Sequence, residues 1–172
     1  MALNGKPPSF NLVARDAEQP TLIEVAPSLH RGEDPMQPLS AAGLGHSLGV
    51  SEAIVRQRDD AGELFSIVLP ARGPGRLYPA FQVWEDVAGQ PLKAVLDQLK
   101  VRELGGAIAY AFFILRDDFL GYLTPVELLI GNVTSLQRLE QWAIEGLNYP
   151  AERRLEIVLQ AARNHVGVVD GW

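Results

Sequence analysis

The stretch L-R-D-D-F-L-G-Y-L-T-P-V-E-L-L, residues 115–129, decides how the rest of the chain is read. An apolar helix over residues 106–115 runs into an acidic stop at Asp117 and Asp118, and a tight bend follows at Gly121. Thr124 then stands where a helix N-cap belongs, with Pro125 at the first helical position and Glu127 at the third. No nucleophile lies beside a base here, and no metal-ligand spacing occurs. The stretch predicts a helix–turn–helix corner valued for its shape, which points to a binding protein and not an enzyme.

Working outward, 172 residues with 47% hydrophobic and 21% charged side chains suit a folded soluble protein of one domain or two small ones. Without cysteine, disulfides and thiolate chemistry are excluded. Residues 1–8 lack the charged and apolar segments of a signal peptide, and the most apolar run, 107–115, is too short to span a bilayer, so a cytoplasmic location is expected. The net charge of -6 argues against a nucleic-acid coat, because phosphate neutralisation needs basic residues; any DNA contact must come from a local patch. The same charge suits a basic partner protein.

The expected fold is mainly α: a winged helix-turn-helix with a small β-hairpin, followed by a helical bundle. Three regions are expected: an N-terminal arm over 1–38, a winged helix-turn-helix-like unit over 39–84, and a helical unit with a C-terminal tail over 85–172. The arm holds six of the twelve prolines; runs 10–14 and 21–25 read either as a hairpin or as an irregular arm. Next, Ser40 caps a helix over 41–48, and Gly49-Val50-Ser51 forms the turn. Ser51 caps a second helix over 52–60 with Ile54 and Val55 inward, ended by Ala61-Gly62. Residues 64–69 and 77–83 read as strands joined by the turn 70–76. Beyond Trp84 the periodicity predicts helices over 91–99, 106–115, 125–130, 134–147 and 151–164, the second of them apolar nearly all round and therefore a buried central helix.

These blocks resemble a known family. L-S-A-A-x-L-x-x-x-L-G-V-S-x-x-x-V (39–55) is similar to the helix-turn-helix of small bacterial regulators. L-Y-P-A-F-Q-V (77–83) and F-F-I-L-R-D-D-F-L-G-Y-L-T-P-V-E-L-L (112–129) resemble the Xre/MbcA/ParS antitoxins, over residues 39–147 in all. The resemblance implies a transcriptional regulator with an N-terminal DNA-binding part and a helical toxin-binding part. Its partner would be an NAD-attacking toxin of the RES type, with the C-terminal segment against the toxin. A homodimer is expected, since one helix-turn-helix binds weakly and operators are usually two-fold.

Arg56, Gln57 and Arg58, after Ser51 and Glu52 at the start of the same helix, form the candidate DNA-reading face; the other reading is a solvated surface. Arg72 and Arg76 flank Gly73-Pro74-Gly75 as a wing reaching a minor groove, or as a plain charged loop. Over 39–84 four arginines meet four carboxylates, Glu52, Asp59, Asp60 and Glu63, which favours the rival: an adaptor that no longer contacts DNA. Partner contact is expected at Asp117, Asp118, Leu120, Gly121, Thr124, Pro125 and the terminal Trp172. Docking of the Trp172 tail within this chain or a sister subunit is placed ahead of plugging a partner's cleft. Tyr78, Phe81 and Trp84 read as core before they read as a partner surface.

Asp117 and Asp118, adjacent at a helix end, point apart and do not share a proton; their position against the helix dipole suggests solvent or a basic partner. His30, His46 and His165 lack ligand spacing, no G-x-S-x-G frame exists, and Gly73-Pro74-Gly75 precedes no Lys-Ser/Thr. No cofactor, metal or catalytic residue is expected.

Overall fold

The computed structural model describes residues 20–28, 34–68 and 75–169. It is mainly helical, with eight α-helices and two small antiparallel sheets among these residues. The expected strand over 10–14, Arg72 with most of its turn, and Trp172 lie outside the described residues.

The first unit is built by its caps. β2 (Pro38–Ser40) leads into α1 (Ala41–Leu48), where the Ser40 hydroxyl accepts from the Gly43 amide at 3.0 Å. Gly49, in the left-handed region at φ 67°, stops α1. Ser51 then caps α2 (Glu52–Asp60), accepting from the Ile54 amide at 3.3 Å. Each cap satisfies an amide that has no partner within its helix. Val55 is fully buried, but Ile54 is exposed, contrary to the inward reading: one turn of α2 has room for a single apolar side chain against α1.

The expected strands are shorter than the sequence suggests. β3 is Ile67–Val68, and β4 is Arg76–Pro79. β4 lies in the middle of a three-stranded sheet, pairing with β3 and with β2 in the order β2-β4-β3. After Pro79 the chain turns into a 3-10 helix, Ala80–Val83. Gln82 explains the change of course. Fully buried, it accepts from the Phe65 amide and donates to the Phe65 carbonyl, both at 2.9 Å, closing backbone groups that a longer strand would otherwise have paired. Tyr78, Phe81 and Trp84 are core, as expected.

The remainder comprises α3 (Gln90–Gln98), α4 (Val101–Leu104), α5 (Gly106–Ile114), α6 (Pro125–Ile130), β5 (Gln137–Leu139), α7 (Gln141–Leu147) and α8 (Ala151–Val169). Leu92, Val95, Leu96 and Leu99 form the buried face of α3, at the spacing expected. α8 packs across α3 and α6 and carries the chain past the expected end at 164, with Val166 still in the core.

One expectation fails here because periodicity does not see tertiary partners. The helix expected over 134–147 is instead β5 followed by α7, because β5 pairs with β1 (Ile23–Val25) in register Ile23↔Leu139 and Val25↔Gln137. The run 21–25 therefore pairs with β5, while its expected hairpin partner, 10–14, lies outside the described residues. The helix expected to be buried, α5, is buried in part: Ala109, Phe112 and Phe113 are in the core, whereas Ala107 and Ile114 are exposed.

One hydrophobic cluster runs from Ala41 to Val166. Phe113 of α5 stacks on Phe65 at 5.8 Å and tilts against Phe81 at 4.8 Å, so the core is continuous across residue 84. Gly106 lets α5 approach this closely, since a Cβ there would stand 2.1 Å from the Ser66 carbonyl oxygen. Among the described residues no helix is long and apolar enough to cross a membrane.

Candidate partner-binding corner

Two surfaces hold the candidate residues. On α2, Arg56 is bonded to Glu52 one turn earlier. Arg76, on β4, reaches Asp59 at 3.1 Å and Asp60 at 2.8 Å, and its guanidinium is held still more firmly protonated by the Asp60 hydrogen bond and the Asp59 charge. Arg58 is half-buried beside Leu48, Glu63 and Lys93, while Gln57, Ser51 and Glu52 are exposed. Two of the candidate DNA-reading arginines, Arg56 and Arg76, are thus tied to carboxylates of their own unit. A groove between α2 and the β3–β4 ribbon, floored by Ala41, Val68 and Leu77, runs between Arg56 and Arg76.

Asp59 also accepts from the Ser66 hydroxyl at 2.7 Å and from the Tyr78 hydroxyl at 3.1 Å, so it clamps α2 to the sheet. Burial, reinforced by the Asp59 charge, pushes the Tyr78 phenol from 10.0 up to about 12. The neutral phenol is therefore the form that the fold favours. Its contribution is complete below pH 10 and is lost as pH rises toward 12. Tyr78→Phe should remove that part of the alkaline loss and cost about 0.5–1.5 kcal/mol at neutral pH, measured by urea unfolding across pH 7–12.

The second surface is the corner after α5. α5 ends at Ile114, and the chain regains a short 3-10 helix at Asp118–Leu120. Asp117 caps that element, its carboxylate accepting from the Phe119 amide at 2.8 Å. This corrects the reading of an acidic pair ending a helix: Asp117 sits at the favourable N-terminal end of the next element. Asp118 is exposed. Gly121 takes the left-handed conformation at φ 68° with its backbone against the Trp142 ring, which a Cβ would approach to 2.8 Å.

α6 then opens with a full capping box. The Thr124 hydroxyl accepts from the Glu127 amide at 3.2 Å, and the Glu127 carboxylate accepts from the Thr124 amide at 3.0 Å. The same buried carboxylate accepts from the Thr134 amide, the Thr134 hydroxyl and the Gln137 side chain, each at 2.9 Å. Arg116 approaches it at 3.6 Å and bonds Gln137 and the Tyr122 carbonyl. Glu127 therefore joins the corner, α6 and β5 into one rigid piece, a role beyond the simple cap expected of it.

This rigidity reassigns the candidates. Leu120, Gly121 and Pro125 are buried and Thr124 is half-buried, so they shape the corner from within and do not face a partner. What the corner presents is Phe119, Tyr122 and Trp142, which are 49%, 59% and 47% exposed. Phe119 and Tyr122 lie on either side of Leu120-Gly121 in sequence, and the Trp142 ring lies against that glycine, so three exposed aromatics gather at this bend. Tyr122 adopts φ 66°, a region an aromatic residue occupies only at a cost. Sequence reasoning passed over all three. Aromatics on both sides of a turn glycine were a readable sign, whereas the approach of Trp142 depends on β5 and α7 and was not.

Comparison with protein-family models, curated proteins and solved structures finds no match to this chain.

Proposed function

We propose that this chain is a regulator of the antitoxin kind, which acts by binding and performs no catalysis. Its first target is a partner protein, a toxin of the NAD-consuming RES type by the sequence resemblance. The observation that carries this reading is the strained, exposed aromatic corner. It is built on the same Leu120-Gly121-x-x-Thr124-Pro125-x-x-Leu128-Leu129 core through which the chain resembles the toxin-binding half of such antitoxins. An exposed aromatic in a left-handed backbone contributes little to a core, so its value lies in what it meets.

Operator DNA is the second target. In this reading α1 and α2 form the helix-turn-helix, α2 enters the major groove, β3 and β4 act as the wing, and the protein works as a cytoplasmic homodimer. The ion pairs of Arg56 and Arg76 favour the alternative, a protein-binding adaptor that does not touch DNA, because phosphate contact would have to displace Glu52, Asp59 and Asp60.

Two measurements test this. Co-expression with the product of the adjacent gene should restore growth and cellular NAD; persistent toxicity despite a soluble regulator would overturn the antitoxin reading. Binding of the purified protein to its own upstream DNA should be micromolar or weaker and should fall as salt is raised. Nanomolar binding abolished by Arg56→Ala/Arg58→Ala would return DNA to first place.

A further inference from the structure

We infer that the aromatic corner receives a cationic segment of the partner, with arginine or lysine side chains lying over Phe119, Tyr122 and Trp142. This deepens the reading of the chain as a binding protein and rests on it. Charge supports such an occupant as much as shape does. Residues 115–149 hold two arginines and five carboxylates, a net charge of -3. Arg116 turns inward to Glu127, Gln137 and the Tyr122 carbonyl, and Arg138 stands opposite Glu24 across the β1–β5 pair. Of the carboxylates, Glu127 is consumed inside the fold and Asp117 in capping Phe119.

Asp118 beside Phe119, the half-buried Glu140 two residues before Trp142, and Glu145 one turn after it on α7 remain as an acidic rim, none of them in an ion pair among the described residues. Glu140 accepts from the indole nitrogen of Trp142 at 2.7 Å, which fixes the ring and sets a carboxylate at its edge. Ring faces beside unneutralised carboxylates suit guanidinium and ammonium groups. Nucleic acid and anionic lipid are repelled by the same rim, and a second copy of the chain would set carboxylates against carboxylates.

The test uses the full-length protein and a fluorescein-labelled peptide of alternating arginine and leucine, beside a twin with glutamate for arginine, read by anisotropy. The arginine peptide should bind and the twin should not. Asp118→Asn/Glu140→Gln should weaken binding about tenfold and flatten its salt dependence, whereas Glu152→Gln/Glu156→Gln on α8, which removes equal charge, should leave it unchanged. Tyr122→Gly supplies a variant certain to be accommodated by the backbone, since it relieves the left-handed strain and keeps the carbonyl that Arg116 uses. It should unfold no more easily than the parent yet bind about tenfold more weakly.

Equal loss in the α8 variant, no loss in the corner variants, or no binding of the arginine peptide would each overturn the inference. If the adjacent gene's product is neutralised and still binds the corner variants undiminished, the corner is wrong while the antitoxin reading stands. If that product is never bound, the reading itself fails.

Discussion

Glu127→Ala should destabilise the protein by about 3–5 kcal/mol, because it removes a buried carboxylate on which four hydrogen-bond donors converge. The Thr124 amide loses its cap, Thr134 loses two bonds, Gln137 loses one, and Arg116 is left beside an empty space. For a chain of this size the melting temperature should fall by about 6–20 °C, followed by circular dichroism. Glu127→Gln separates charge from shape. It fills the same volume but aims an amide donor at groups that are themselves donors, so it should recover only part of the loss. A loss below about 1 kcal/mol for the alanine variant would mean that water replaces the carboxylate and that the corner is less rigid than its bonding implies.

Phe113→Ala should cost about as much, ~3–5 kcal/mol, through a different mechanism. Phe113 is almost fully buried and touches Phe65, Phe81 and Phe112 at centroid separations of 5.8, 4.8 and 5.3 Å. Its removal opens a cavity where the α1–α2 unit meets the helical part of the chain. The neighbours cannot close in, because Gly106 already holds α5 against the Ser66 carbonyl at the limit of approach. Chemical unfolding monitored by far-ultraviolet circular dichroism and by tryptophan fluorescence should report the loss. A single coincident transition is expected, because both sides share one core; two separated transitions in the variant would show that Phe113 is what couples them.

The features that were legible in the sequence are those encoded within a few residues. Ser40, Ser51 and Thr124 announce their helices because a cap needs only an oxygen three residues before an unpaired amide. Leu92, Val95, Leu96 and Leu99 announce a face because the helix period alone brings them together. The failures all depend on distant partners. Residues 137–139 have helical periodicity with Ala143 and Leu147, yet the strand at 23–25 claims their backbone. Residues 80–83 read as strand until Gln82 folds back on Phe65. At the corner the side chains singled out in the sequence are mostly those the fold buries. The shape-giving residues, Leu120, Gly121 and Pro125, carry recognisable local patterns and lie inside, while the surface they hold out belongs to Phe119, Tyr122 and a tryptophan twenty residues later.

The β1–β5 pair has a consequence for how the chain comes to be folded. Ser28, just beyond β1, bonds Asn132 across 104 residues, and the strands themselves are separated by more. During synthesis β1 leaves the ribosome long before its partner has been translated, whereas α1 and α2 need only each other and the neighbouring sheet. The capped helices α1 and α2 can therefore form early from local contacts, while the closure of β1 onto β5 must wait for residues 137–139. The corner that β5 helps to hold is completed only after residue 139 has been made.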